Sequence, residues 1–403
     1  MTPKFSLYYG NQLHTLDAVN GAVYTLDEQV TVTVSATTYT DFDAVEWVLF
    51  LENAGNKNSQ IFSRIFDCDT LLPLPQTDAC RPGYMPKPGD LCVITMNGMV
   101  DGKYYWENDK VSATEYGLSY EYLDKAPNKT KSFANIGGRS SEGTMPFFDV
   151  TASDNGYIAA IGWTGDWKAE FSKQDNGIQI KTGLKETKFY LEPGEKIRTT
   201  SILIMKYNAD EDKFNKFRKL IKNHFSHKSC TDATRDGLMA CELWGGLTSD
   251  EMKKRINELK KYDIKFEDIW IDAGWYGECT KCDDCFSGDW AAHTGEWEVN
   301  RRVHPNELKD VSECAKAADM KLMLWFEPER VMEGSKLDFL HPEWCLKAHN
   351  DDGEEEKCRL LDYSNPECFD FVLNLLDKHI KAGGIDIYRQ DFNFTPDRYF
   401  SEN

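Results

Sequence analysis

Near the end of the chain, Arg389-Gln390-Asp391-Phe392-Asn393 offers a guanidinium, a carboxylate and two amides within five residues. Ile385 and Ile387 just before it read as strand core, and Gly383-Gly384 ends the helix that precedes the strand. An ionised Asp at the C-terminal end of such a strand lies where parallel α/β barrels carry their chemistry, which makes Asp391 the first candidate for a catalytic carboxylate. The plainer alternative is a polar strand end in which Arg389 and Asp391 neutralise each other. Three further predicted strands finish in the same way: Glu242 with Trp244, Asp272 with Trp275, and Trp325 with Glu327 and Glu329. Neighbouring parallel strands are ~4.8 Å apart, so four such ends converge on one small bowl. Carboxylates, donors and indoles around a bowl suit the recognition of a polyol, with polar groups on its hydroxyls and ring faces on its apolar side.

The bowl needs a β/α frame, and the apolar pattern predicts one over residues 237–403. Strands are expected at 238–244, 268–272, 322–326 and 385–394. Thr248 and Glu251 have capping-box spacing ahead of a helix that carries Met252, Ile256 and Leu259 on one face. Pro305 to Met320 predicts a second helix with Leu308, Val311 and Ala315 inward. Pro366, capped by Ser364 or Asn365, opens a third, with Phe369, Val372, Leu373, Leu376 and Ile380 as its buried stripe. Four β/α repeats are half of a (β/α)₈ barrel, or the core of an open parallel sheet.

Residues 1–225 read differently. Val30, Val32 and Val34 alternate with Thr31 and Thr33, a period of two that buries one face of a sheet. Short strands of this kind, broken by Gly, Pro, Asn and Asp, predict a large β-sandwich. The loop Gly137-Gly138-Arg139-Ser140-Ser141-Glu142-Gly143 reads as a turn, since it lacks the ending of a phosphate loop, and Trp163 and Trp167 read as core more than as a sugar platform. Phe214, Phe217, Leu220 and Ile221 have helical spacing, and a polar stretch at 226–236 links the halves.

A net charge of -20 over 403 residues repels phosphate backbones and anionic lipid, so no nucleic-acid or membrane partner is expected. No apolar run approaches the ~20 residues needed to span a bilayer. The start, Met1-Thr2-Pro3-Lys4-Phe5-Ser6, has no long apolar stretch, which makes a cytoplasmic location the default expectation. The twelve Cys lack the density of a disulfide scaffold, and reduced, buried thiols are expected. Cys279, Cys282 and Cys285 fall in the long loop after the second predicted strand, where a fourth metal ligand would have to be His293 or Cys314. A disulfide with one free thiol, or a loop that lids the bowl, explains the spacing equally well, and no metal is assigned to it.

Four blocks carry a family likeness. Trp270-Ile271-Asp272-Ala273-Gly274-Trp275, Leu324-Trp325-Phe326-Glu327-Pro328-Glu329, Leu361-Asp362-Tyr363-Ser364-Asn365-Pro366-Glu367 and Tyr388-Arg389-Gln390-Asp391-Phe392-Asn393 resemble, in that order, blocks of the glycoside hydrolase family 36 α-galactosidases of melibiase type. Gly138-Arg139-Ser140-Ser141-Glu142 and Ala160-Ile161-Gly162-Trp163-Thr164-Gly165 extend the resemblance into the first half. It implies a β-supersandwich followed by a catalytic (β/α)₈ barrel that removes terminal α-linked galactose with retention, from oligosaccharides or glycoconjugates, with no cofactor and no metal. A homo-oligomer of a full-length form is compatible with it. By the same resemblance Asp391 falls on the nucleophile, Asn393 on a sugar-binding amide, Trp325 on a ring contact and Asp272 on the first of two carboxylates that grip the outer hydroxyls.

The departures from the family pattern are specific. Ala273 stands in place of the second carboxylate of that pair, and Arg389 stands where many members have Lys. The family's general acid follows a Gly-Gly-rich block at the sixth strand, and no residue here matches it. Glu327, placed with Arg389 among the substrate-binding candidates, is the nearest carboxylate that could substitute. A retaining mechanism needs both carboxylates, so the 403-residue chain is expected to be a fragment with little activity alone. An α-N-acetylgalactosaminidase of the same family and a non-catalytic carbohydrate-binding remnant are the alternatives.

Overall fold

The computed structural model describes residues 2–74, 91–98, 118–123, 126–152, 155–226, 238–277, 290–350 and 352–403. The chain divides into two compact units, Met1–Cys230 and Thr231–Asn403.

Alternation builds the first unit. Along Val30–Tyr39 the valines at 30, 32 and 34 are buried and the intervening threonines half-exposed, so one face of the strand is apolar. This strand lies second in an antiparallel eight-stranded sheet ordered Val23–Thr25, Val30–Tyr39, Ala44–Asn53, Lys196–Tyr207, Asn155–Gly162, Thr144–Ala152, Leu91–Asn97, Leu118–Tyr122. Two four-stranded antiparallel sheets share its core: Phe5 and Phe62 come from one, Trp167 and Phe171 from the other, against Trp47 and Phe148 of the large sheet. Trp167 is therefore core, and its Nε1 donates to the Ser140 carbonyl at 2.7 Å. The glycine-rich loop is a turn held by Arg139, whose Nε donates to the buried Glu142 carboxylate at 2.9 Å. Helix Lys213–Leu220 buries Leu220 but leaves Phe214 half exposed.

The second unit is built on a four-stranded parallel sheet and also holds a small antiparallel sheet of Arg330–Met332, Cys358–Leu361 and Cys345–Leu346. In the parallel sheet, strands Ala240–Leu243, Asp268–Ile271, Lys321–Phe326 and Ile387–Gln390 lie side by side in that order. The register runs Leu243 to Ile271 to Leu324 to Tyr388 across all four. Two of the helices between them begin at a side-chain cap. Thr248 caps Ser249–Lys261 by accepting the Glu251 N–H at 3.2 Å. Asn365 caps Pro366–Gly383, accepting from Glu367 at 2.9 Å, and Pro366 occupies the first turn where no N–H is needed. Gly384 ends that helix at φ 63°, a left-handed conformation in which a Cβ would be strained.

Two expectations need correction. Pro305 to Leu308 is extended, and the helix covers only Lys309–Lys316, because Glu307 at φ 55° breaks the helical path; Leu308, Val311 and Ala315 are nonetheless buried. The stripe on Pro366–Gly383 is narrower than its period suggests. Val372 is buried, Cys368 and His379 join it, and Phe369 and Leu373 are about half exposed. No helix among the described residues is long and apolar enough to cross a membrane.

Candidate active site

Alternation along the parallel strands decides which side chains meet. Leu243, Ile271, Leu324 and Phe326 are buried in the apolar cluster that also holds the helix residues Met252, Ile256, Val311 and Ala315. Strand geometry turns their neighbours Glu242, Trp270, Asp272, Met323, Trp325, Arg389 and Asp391 to the other face. Asp391 follows the fourth strand directly, and its N–H donates to the Phe326 carbonyl at 2.8 Å, which continues the ladder by one residue.

The Asp391 carboxylate is held from several sides. Trp325 Nε1 donates to Oδ2 at 2.8 Å, Arg389 Nη1 lies 3.3 Å from the same oxygen, and the Phe392 N–H donates to Oδ1 at 2.9 Å. Burial alone would raise this carboxyl, but the bonds from Trp325, Asn393 and Phe392, with the Arg389 charge, bring it below the ordinary aspartate value. Asp272 moves the opposite way. Burial raises it, the Ala273 N–H and Arg389 work against that, and the Asp391 charge adds to it.

Trp325 is 1% exposed and boxed by Tyr276, Trp290 and Trp297, with ring centroids 5.6–6.2 Å away. Its carbonyl accepts from Trp275 Nε1 at 2.9 Å. In this structure the indole therefore meets the carboxylate through its N–H instead of presenting an open face, which differs from the ring contact expected of it. Glu327 also differs from expectation. It is 0% exposed, accepts from the Asn393 N–H, and lies 3.4 Å from Arg330 Nη1. Burial raises its carboxyl, yet a fully buried group has no path to a leaving group, so Glu327 braces Asn393 from behind the cup. Glu329 is likewise raised by burial and accepts from Gln390.

One member of the cup escaped the sequence reading. The Arg389 guanidinium lies 4.0 Å above the centroid of the Trp270 ring. The signal available was the two-residue spacing from Trp270 to Asp272, which puts both on one face of a strand. Trp244, at the first strand end, is half-buried, and its Nε1 has no hydrogen-bond partner among the described residues.

Cys279, Cys282 and Cys285 lie outside the described residues. Among those described, no group of three or more His, Cys, Asp and Glu is placed to hold a metal ion. The two candidates for a fourth ligand are engaged elsewhere: His293 Nδ1 is 3.0 Å from Glu296, and Cys314 Sγ is 3.9 Å from the Lys253 carbonyl. Seven described cysteines are free thiols.

The Melibiase family model matches residues 199–398. Alpha-galactosidase AgaA of Geobacillus stearothermophilus is 24% identical over 269 residues, 64% of this chain and 36% of the relative. Alpha-galactosidase Mel36A of Lactobacillus acidophilus is 24% identical over 278 residues, 65% of this chain and 36% of the relative. The crystal structure of a variant of the Geobacillus GH36 enzyme in complex with 1-deoxygalactonojirimycin superposes with a TM-score of 0.68 at 16% identity, covering 98% of this chain and 58% of that one. The chain thus spans about a third of the length of these curated relatives and shares the fold of the solved structure.

Proposed function

Because the chain belongs to the melibiase family, glycoside hydrolase family 36, we propose that it acts on terminal α-linked galactose by a retaining mechanism in which Asp391 is the nucleophile. The observation that carries this reading is the carboxylate itself: it ends a parallel strand, it is kept ionised below the usual aspartate value, and three donors orient it. An ionised, oriented carboxylate can attack an anomeric carbon and form a glycosyl ester, which water then hydrolyses. Trp325 and Arg389 hold the nucleophile. Asn393, braced by Glu327, and Asp272 are assigned to the sugar hydroxyls, and Arg389 lies within reach of both carboxylates. We read the four parallel strands as the first half of a (β/α)₈ barrel and the first unit as a β-supersandwich, on the strand order, the register and the likeness to the solved structures.

No carboxylate among these 403 residues is assigned the role of general acid. That separates two steps experimentally. A fluoride leaves without protonation, so a fluorinated galactosyl fluoride tests the nucleophile even where acid catalysis is lacking. Peptide mapping after such labelling is expected to find the sugar on Asp391, and not at all in Asp391→Asn. An adduct on any other residue overturns the assignment. Unactivated α-galactosides, whose leaving alcohol must be protonated, are expected to turn over poorly with the 403-residue chain, and their brisk hydrolysis would mean that an acid lies within it.

Ala273, where the family has its second hydroxyl-gripping carboxylate, favours a second reading in which the chain binds galactosides or N-acetylgalactosaminides without cleaving them. Sugar binding with no adduct from the fluoride selects that reading. Relative affinity for galactose and N-acetylgalactosamine decides between the two sugars.

A further inference from the structure

We propose that Trp270 is a positioning residue of this cup: its indole carries the Arg389 guanidinium across the third parallel strand and seats it against Asp391. The inference rests on the reading of Asp391 as nucleophile and names what sets the charge beside it.

Trp270 is on the second strand and Arg389 on the fourth, with Met323 and Trp325 between them. Two interstrand steps are about 10 Å, which only a long side chain can bridge. Arg389 does so, and comes to rest 4.0 Å over the indole centroid, well inside the ~6 Å within which a cation and a ring attract. The geometry suits a guanidinium in particular. A planar group can lie flat on the ring and still direct an N–H from its edge at Asp391 Oδ2, 3.3 Å away, whereas an ammonium is a point charge with no face to stack. Arg389 is about one-third exposed, so without the ring it would be a rotamer-rich side chain free to leave the carboxylate for water. The stack covers one face of Trp270, which removes that face as a platform for sugar.

The consequence reaches both carboxylates. Arg389 is among the groups that hold Asp391 low, and it opposes the rise that burial imposes on Asp272. A single indole on the second strand therefore governs how charge is shared between the strand ends.

The test uses Trp270→Leu, Trp270→Phe, Arg389→Lys and the Trp270→Leu/Arg389→Lys double variant, each checked for an unchanged melting temperature. Calorimetric binding of 1-deoxygalactonojirimycin is followed against pH, and the Asp391 carboxyl is titrated directly by ¹³C NMR of labelled aspartate without ligand. Trp270→Leu is expected to weaken binding about tenfold, and to move both the acid limit of binding and the Asp391 midpoint to higher pH. Trp270→Phe, which keeps a ring face, is expected to restore most of both. Arg389→Lys is expected to cost much less in the Trp270→Leu background than in the wild type, because the two act as one unit. An unmoved Asp391 midpoint, or costs that simply add, overturns the proposal. A wild type that does not bind, or binding indifferent to Asp391→Asn, counts against the cup's assigned function, and the ligand-free titration then still decides the role of Trp270. Should Trp270→Leu fail to fold, Trp270→Met, which also lacks a ring face, takes its place, and an Asp391 midpoint there at the wild-type value overturns the proposal.

Discussion

Trp325 commits its only donor to Asp391, at 2.8 Å, and does so from a position almost without solvent. A hydrogen bond to a charged acceptor in such a place is worth ~1.5–3 kcal/mol. Trp325→Phe keeps a ring in the aromatic box and removes only the N–H. Its expected effect is a fall of roughly 10- to 100-fold in the rate of labelling by a galactosyl fluoride. The sign of the pH effect follows from the same bond. The donor favours the ionised form and holds the carboxyl low, so its loss lets the carboxyl rise, and the acid limb of the labelling profile moves to higher pH. An unshifted limb would mean that other donors suffice.

Between strands Phe62–Phe66 and Cys68–Pro73 lies Asp67, whose contacts tie the sheets of the first unit together. Its carbonyl accepts from Trp47 Nε1 at 2.7 Å and its carboxyl from Thr200 Oγ1 at 2.6 Å, and the residue is fully buried. Burial, only partly offset by the bonds from Thr199 and Thr200, pushes this carboxyl up to about 6. A carboxyl raised in the folded state gives stability that is complete below its unfolded value near 4 and is lost as pH rises through about 6. Asp67→Asn keeps the acceptor and removes the charge. It is expected to stabilise the first unit by about 2–3 kcal/mol at pH 8 and by little at pH 4, as read from urea midpoints at the two pH values. Equal midpoints at pH 8 would mean that the wild-type carboxylate finds a partner there.

At this scale the sequence is legible where a local rule acts alone. Val30, Val32 and Val34 needed only alternation, and Thr248 and Asn365 needed only a side-chain oxygen at the right offset from an N–H. It is silent where the answer depends on what lies opposite. Helical period marks Phe369 and Leu373 as apolar but cannot say which part of a broad stripe is covered, and both are half exposed. Pro305 to Leu308 has helical spacing that the left-handed Glu307 interrupts. The cup's carboxylates could be named because strand ends converge. The reach of Arg389 over an intervening strand, and the turning of Trp325 toward a carboxylate, are tertiary facts with no local signature.

The exposed half of that helix has a consequence for the whole molecule. Phe369, Leu373, Leu376 and Tyr388 line an apolar groove of about 590 Å³ along the flank of the fourth strand, and that strand has a hydrogen-bonded neighbour on one side only among the described residues. An open strand edge beside apolar surface favours association, and the net charge of -20 opposes it. The 403-residue protein is therefore expected to self-associate more as salt screens the charge, and Leu373→Lys is expected to suppress this, by light scattering across a salt series. A wild type that stays monodisperse at high salt would show the groove to be inert.

The fourth strand is four residues long and sends Tyr388 and Gln390 toward the groove, and Arg389 and Asp391 toward the cup. Its chemistry is thus a matter of parity. Inserting one residue between Gly384 and Ile387 would leave composition and charge nearly untouched, yet it would exchange odd for even: a phenol and an amide would face the cup, and the carboxylate would face the apolar groove. Such a frame-preserving insertion should silence the site more completely than many substitutions within it, while two inserted residues should restore the orientation at the cost of a longer loop.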